Sequence, residues 1–355
     1  MLIGLCGGIC AGKSTVAQYL VEHHGFTHLY LRQEQSKPSQ ANTEPDTGAS
    51  DELIHKHING SSQRGSTTQR HVFDTADELL DFVTKRWLER WVTTDIYNEA
   101  ILDKLERRPF FILISVDAPV SVRWRRFQHF LQAKSSETHT LEDFLLRSDD
   151  HLYSPKKGLM PLISRATIRL INTSSDLAHL YATLGKLDLT NEDRLRPSWD
   201  QYFMQLASLA AQRSNCMKRR VGCVLVREKR VISTGYNGTP RGLRNCGEGG
   251  CQRCNDGQSS GVGLGTCLCI HAEENALLEA GRERIREGAI LYCDTCPCLT
   301  CSIKITQVGI SEVVYSQGYS MDGETAAVFK EAGVHLRQFS PPANGMIHLE
   351  KQSLY

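Results

Sequence analysis

His271-Ala-Glu-Glu-Asn275 and, further on, Thr295-Cys-Pro-Cys-Leu-Thr-Cys301 are the two stretches on which the second half of the chain turns. His271 opens a predicted helix through Ala280, Cys298 precedes another over Leu299–Val308, and Ala289–Cys293 reads as a strand between them. Both segments can therefore present side chains from helix N-termini toward one point. One imidazole (His271) and two thiolates (Cys298 and Cys301) make three protein ligands, and the fourth tetrahedral position stays open for water. That is the pattern of a catalytic zinc rather than a closed structural one. Glu273 stands two residues from the histidine ligand, where a carboxyl can move a proton between water and a bound substrate.

A lone Cys-x-x-Cys carries little information. H-x-E followed by P-C-x-x-C is the signature of zinc deaminases, which these two segments resemble. The cysteine distribution agrees with metal chemistry: of 13 in the chain, 11 fall between Cys216 and Cys301, where His271 is the single histidine. Cys216, Cys246, Cys251, Cys254, Cys267 and Cys269 include one C-x₂-C and one C-x-C. Four of these six could close a second, structural zinc site that fastens the long loop before His271. Cys223 and Cys293 lie in expected strands and read as core, and Cys296 has no assigned part.

Around the two stretches the pattern alternates. Trp199–Arg213 is helical, Val221–Val226 and Val231–Tyr236 form a hairpin, and Glu312–Tyr315, Glu324–Ala332 and Val334–Arg337 read as strand, helix and strand. The first half alternates as well. Leu2–Cys6 is a strand, Ser14–His24 a helix, and Phe73–Trp91 an amphipathic helical stretch. Phe110–Val116 is a buried strand, with a helix opening at Pro119; Thr167–Ile171 is another strand, followed by a helix from Ser175 to Lys186. The expectation is an α/β fold with a parallel sheet in the first half and a three-layer α/β/α domain in the second. Residues 32–70, rich in Gln, Ser, Thr, Asn, Gly and Pro, read as a disordered insertion whose His55 and His57 are solvated. The expected domains are 1–186 and 198–340, with a linker at 187–197 and a C-terminal tail at 341–355; 355 residues suit two domains.

Between the first strand and helix, Gly7-Gly-Ile-Cys-Ala-Gly12-Lys13-Ser14 fits G-x-x-x-x-G-K-[ST]. Gly7 and Gly12 let backbone N–H groups point at phosphates, Lys13 supplies a charge, and Ser14 can hold Mg²⁺, so ATP with Mg²⁺ is the candidate ligand. This half resembles the P-loop nucleotide kinases, particularly dephospho-CoA kinase. The resemblance rests on that loop, on Val116-Asp-Ala-Pro119 with Arg123, Arg125 and Arg126, and on Ile171-Asn172. It departs from the family where an acceptor-site aspartate would follow the second strand: here the chain reads Leu29-Tyr-Leu-Arg-Gln. Asp95 is a candidate Mg²⁺-associated acid.

Composition narrows the classes. Hydrophobic residues at 40% and charged residues at 23% are globular values. Lys+Arg 41 against Asp+Glu 40, a net +1, lacks the basic footprint of a dedicated nucleic-acid binder, so no nucleic-acid partner is expected. No uncharged run approaches a membrane span and no secretory signal is visible, so no membrane association is expected. The expected setting is a reducing one, the cytoplasm and also the nucleus.

From about Ala211 to Arg337 the chain resembles the deoxycytidylate (dCMP) deaminase family. The residues that carry this are Ala211-Gln-Arg-Ser214, Val221-Gly222, Gly235-Tyr-Asn-Gly-Thr-Pro240, His271-Ala-Glu-Glu-Asn275 and Thr295-Cys-Pro-Cys-Leu-Thr-Cys301. Fungal members similarly carry a degenerate kinase-like N-terminal half. The resemblance implies a hydrolase converting dCMP to dUMP and ammonia for thymidylate synthesis, and a homohexamer activated by dCTP and inhibited by dTTP. It also implies that the Gly235, Tyr236, Asn237 and Gly238 loop lies at the substrate and effector region, with the Asn237 amide near the sugar. Some members hold a second zinc through positions matching Cys216 and Cys246. Arg213, Arg241 and Arg244 are candidates for the substrate phosphate, and the sequence does not choose among them. An RNA-directed deaminase of the same superfamily and a bifunctional deaminase–kinase are the alternatives.

Overall fold

The computed structural model of the chain describes residues 1–32, 70–132, 140–174, 176–259, 262–318 and 322–349; the expected insertion, with His55 and His57, lies outside them except for its two end residues. The chain divides into two units, Met1–Arg196 with Ala343–Tyr355, and Pro197–Pro342. In chain order the first holds β1 (Leu2–Cys6), α1 (Lys13–His24), β2 (Thr27–Leu31), β3 (His71–Phe73), α2 (Ala76–Lys85), β4 (Trp91–Thr93) and α3 (Glu99–Leu105). It continues with β5 (Phe111–Asp117), α4 (Val120–Gln132), α5 (Leu141–Tyr153), α6 (Met160–Arg165), β6 (Ile168–Ile171) and α7 (Leu177–Leu187). The second holds α8 (Trp199–Ala211), β7 (Gly222–Arg227), β8 (Arg230–Tyr236), the short α9 (Gln252–Asn255) and α10 (Ala272–Ala280). β9 (Ile290–Thr295), α11 (Leu299–Gln307), β10 (Glu312–Gln317), α12 (Asp322–Glu331) and β11 (His335–Gln338) complete that unit, and β12 (Gly345–His348) returns to the first.

Seven parallel strands make the first unit's sheet, in the order β12-β6-β5-β1-β4-β2-β3. Alternation places Ile3 and Leu5 against Val16 and Leu20 of α1 and Leu184 of α7, while Leu2 and Cys6 face Leu79 and Val83 of α2 and Leu102 of α3. The helical stretch expected over Phe73–Trp91 is three elements. The Thr75 hydroxyl caps α2 by accepting from the Glu78 N–H at 3.2 Å, leaving Phe73 in a strand, and Trp91 is buried in β4. The segment expected as a tail pairs with β6 from Gly345↔Ile168 to His348↔Ile171. Ile347 and Leu349, two apart, both turn into the sheet's core. The expected linker also packs there, with Leu189 buried and Leu187 and Leu195 against it.

The second unit's sheet runs β11-β10-β9-β7-β8; β7 is antiparallel to β8 and β9, and the rest is parallel. Its hairpin turn uses left-handed backbone at Glu228 (φ 50°) and Lys229 (φ 60°), the twist a two-residue turn needs. Cys223 and Leu225 face Ala272, Ala276, Cys301 and Phe329 on one side; Val224 and Val226 face Phe203, Met204 and Ala207 of α8 on the other. A single sheet thus lies between helical layers, and α10 and α11 are both packed on the Cys223 face. Among the described residues no helix is long and apolar enough to cross a membrane.

Candidate functional site

His271 is the N-cap residue of α10, and its backbone N–H donates to Glu274 Oε2 at 3.1 Å. Lys304 pairs with the other oxygen of Glu274, so the same carboxylate fixes the entry to α10 and reaches α11. Cys298 is the N-cap residue of α11 and Cys301 sits in its first turn. Two helix N-termini therefore meet. His271 Nδ1 lies 3.4 Å from Cys298 Sγ and 3.3 Å from Cys301 Sγ, and the three ligand atoms are within 4.8 Å of one another. An imidazole nitrogen and two sulfurs at this spacing are the donor set of a three-ligand zinc site, so the residues fit the ion that their pattern implies.

The electrostatics suit a soft cation. Cys298 is drawn down to about 3, first by the hydrogen bond from the Cys301 thiol and, against its burial, by His271 and Thr300. A helix N-terminus favours a thiolate as well. Glu273, one residue into α10, is 4% exposed, and burial raises its carboxyl above the ordinary range while His271 works against that rise. Asp294, at the end of β9, adds to the rise. Its Oδ2 accepts from the Gly222 N–H at 3.1 Å, and its Oδ1 is buried.

The Gly235–Gly238 loop reaches this centre through its backbone. Gly238 and Ile270 form an antiparallel bridge directly before His271. Gly235 packs on the helix itself: a Cβ there would come 2.0 Å from the Ala272 carbonyl oxygen and 2.6 Å from the Ala276 nitrogen. Asn237 turns inward. Its Oδ1 accepts from Ser214 Oγ at 2.7 Å and from the Val221 N–H at 2.8 Å, and its Nδ2 donates to the Arg219 carbonyl at 2.7 Å. The Tyr236 carbonyl accepts from Asn275 Nδ2 at 2.9 Å. Arg213, Arg241 and Arg244 are all exposed. Thr325, within the expected Glu324–Ala332 helix but not among the expected site residues, is fully buried, and its hydroxyl donates to the Pro297 carbonyl at 2.9 Å, holding the turn into Cys298.

Of the other cysteines, Cys223 and Cys293 face each other across β7 and β9, and burial pushes both thiols up, which suits neutral core residues. Cys216, Cys246, Cys254 and Cys269 form one set of mutually close sulfurs, and Cys251, Cys254, Cys267 and Cys269 form another.

In the first unit, Gly7 and Gly12 adopt φ of 138° and 106°, and a Cβ on Gly7 would stand 1.9 Å from the Val116 carbonyl oxygen. The turn between β1 and α1 thus closes only with glycine there. Lys13 Nζ donates to the Gly7 carbonyl at 2.7 Å, and burial lowers its pKa. Arg126 donates to the carbonyls of Ala11 (3.1 Å) and Ser174 (2.8 Å), and Asn172 Nδ2 donates to Ala11 at 3.1 Å. Ser14 follows Lys13 at the start of α1. Asp95 Oδ2 accepts from the Leu31 N–H at 2.9 Å, and burial raises its pKa, opposed in part by that bond and by Lys13.

Residues 197–317 match the family described as the cytidine and deoxycytidylate deaminase zinc-binding region, which sets the class of the protein as a zinc-binding deaminase. Deoxycytidylate deaminase of Schizosaccharomyces pombe is 47% identical over 344 residues, covering 97% of this chain and 99% of that protein. The Saccharomyces cerevisiae deoxycytidylate deaminase is 51% identical over 278 residues, 75% of this chain and 86% of that one. A crystal structure of the dCMP deaminase from cyanophage S-TIM5 in complex with dCMP and dUMP aligns at 29% identity with a TM-score of 0.34, covering 41% of this chain and 98% of that chain. With 47% identity to the Schizosaccharomyces pombe protein sustained along nearly the whole of both chains, this chain belongs to the deoxycytidylate deaminase family.

Proposed function

We propose that the second unit converts dCMP and water to dUMP and ammonia. The observation that carries this is the buried Glu273 carboxyl two residues from His271, on the helix whose N-terminus meets Cys298 and Cys301. Zinc held by His271 Nδ1 and the two sulfurs supplies a Lewis acid that activates water near neutral pH. Glu273 takes a proton from the attacking water and delivers it to the ring nitrogen, and the departing amine leaves as ammonia after a second transfer through the same carboxyl. Its raised proton affinity suits both halves of that shuttle. The inward-turned Asn237 holds the 214–221 segment to the loop, so its part in substrate binding is to fix the backbone of Tyr236 and Gly238. The two yeast relatives named deoxycytidylate deaminase support dCMP as the substrate.

The same reading brings dCTP activation, dTTP inhibition and a homohexamer as proposals. Its setting is a reducing one, the cytoplasm and nucleus, which keeps the cysteines out of disulfides and available as thiolates. For the first unit we propose a P-loop, dephospho-CoA-kinase-like phosphate site. Its support is the Gly7–Ser14 turn between β1 and α1 with Lys13 facing the loop carbonyls.

The deciding experiment measures ammonia release from dCMP, CMP, dCTP, deoxycytidine and a stem-loop RNA, each with and without dCTP and dTTP. Preference for dCMP is expected; preference for the RNA would replace this reading with the RNA-directed one. Lys13→Ala is expected to abolish binding of ATP with Mg²⁺ measured by calorimetry, and unchanged affinity would remove the nucleotide site. Light scattering reads the hexamer directly.

A further inference from the structure

Apart from the His271 centre, the sulfurs of Cys216, Cys246, Cys251, Cys254, Cys267 and Cys269 are gathered beneath the loop that leads into that histidine. They fall into two sets of four, each set mutually within 4.8 Å, and the sets share Cys254 and Cys269. We propose that this cluster binds two zinc ions, each held by four thiolates, with Cys254 and Cys269 bridging both. Cys216 and Cys246 complete the first ion's shell, and Cys251 and Cys267 complete the second's.

The separations fit that arrangement. Cys216–Cys254 and Cys254–Cys267 are 3.8 Å apart, Cys251–Cys267 3.9 Å and Cys254–Cys269 4.0 Å. Zn–S bonds of about 2.3 Å give a tetrahedron with S···S edges of about 3.8 Å, whereas a disulfide needs about 2.05 Å. One closed site would use four sulfurs and leave two others packed against it without ligand or partner. Two independent sites would need eight. Six sulfurs close two tetrahedra only by sharing an edge, and the structure supplies that edge.

The surroundings answer the charge. Two divalent ions and six thiolates leave a net −2, which burial would penalise unless donors face the sulfurs. Arg253 is 7% exposed and points Nη1 at Cys267 Sγ from 3.8 Å, while its Nε donates to the Val262 carbonyl at 2.7 Å. The Met217 N–H donates to Cys246 Sγ at 3.4 Å. Among the described residues the apolar cluster of this loop consists of these cysteines alone, so metal takes the place of a hydrophobic core in ordering it. Cys269 is two residues before His271, and Gly238↔Ile270 pairs between them, so the loaded cluster sets the backbone from which the catalytic ligand projects.

The test is zinc per chain in the purified, reduced full-length protein. Three ions are expected, one at the His271 centre and two here. A triple variant His271→Ala, Cys298→Ala, Cys301→Ala is expected to retain two, so this count stands whether or not the deaminase reading holds. Cys251→Ser with Cys267→Ser is expected to hold one ion fewer than wild type. One ion left in the triple variant would overturn the bridged pair. Because serine variants can fail to fold, the ¹¹³Cd-substituted wild type gives a second reading. Two sulfur-only signals coupled to each other through the shared thiolates are expected; one such signal, or two without coupling, overturns the proposal.

Discussion

Asn275 donates its side-chain amide to the Tyr236 carbonyl at 2.9 Å, tying the loop after β8 to the helix that carries Glu273. One turn of helix separates Asn275 from His271, whose carbonyl accepts the Asn275 backbone N–H at 3.0 Å. The bond therefore sets how the loop and the metal ligand face each other. Asn275→Ala removes the donor and leaves a half-buried carbonyl without it, a loss of about 1–3 kcal/mol. The expected result is a lower denaturant midpoint together with a several-fold lower kcat/KM for dCMP; an unchanged midpoint would remove the tie.

Glu273→Gln keeps the shape of the side chain and removes its capacity to carry a proton. A general acid–base group contributes about 10²–10⁴-fold to rate, so kcat for dCMP should fall by at least that much. Zinc content should not change, because His271, Cys298 and Cys301 are untouched. Turnover within a few-fold of wild type would assign the proton shuttle to another group.

What the chain disclosed in advance follows from how local each signal is. His271, Glu273, Cys298 and Cys301 lie in two short segments that each open a helix, so spacing alone brought them together. Asn275 was visible within the same segment but without a partner, since Tyr236 stands far back in the sequence. Nothing in the sequence tied Thr325 or Asp294 to the site; their contacts with Pro297 and Gly222 exist only once the sheet and its helices are assembled. The short strand β12 was hidden for the same reason. Four residues with Met346 and Ile347 in a polar stretch become a strand only because β6 offers a parallel edge. Among the six loop cysteines the sequence gives the number, but the sharing of Cys254 and Cys269 is a property of the folded loop.

Gly235→Ala is expected to damage the centre without touching a ligand. Its Cβ would meet backbone of α10 at 2.0 and 2.6 Å, atoms that cannot move unless the helix does. Overpacking of this kind typically removes about 1–3 kcal/mol. Gly265→Ala serves as the control, because nothing lies within 4 Å of a Cβ there. Thermal unfolding and zinc retention should both fall for Gly235→Ala and stay near wild type for Gly265→Ala. Equal behaviour of the two variants would show that the helix yields freely.

His28 gives the first unit a pH dependence. Burial lowers its pKa from 6.5 to about 4, with Arg70 adding to the effect. The ring stacks on Tyr30 at a centroid distance of 4.4 Å, and its Nε2 lies 3.4 Å from Thr94 Oγ1. The unfolded chain therefore takes up a proton near 6.5 that the folded chain refuses until about 4. By linkage, stability rises with pH wherever the unfolded state binds more protons. The contribution is fully present above 6.5, declines as pH falls, and is lost once pH passes through about 4. Amide exchange in peptides from β1 and β2 reads this unit by itself. Protection there should fall between pH 6.5 and 4.5 after correction for the intrinsic rate, and His28→Gln should flatten that slope; the same slope in both proteins would place the dependence on other groups.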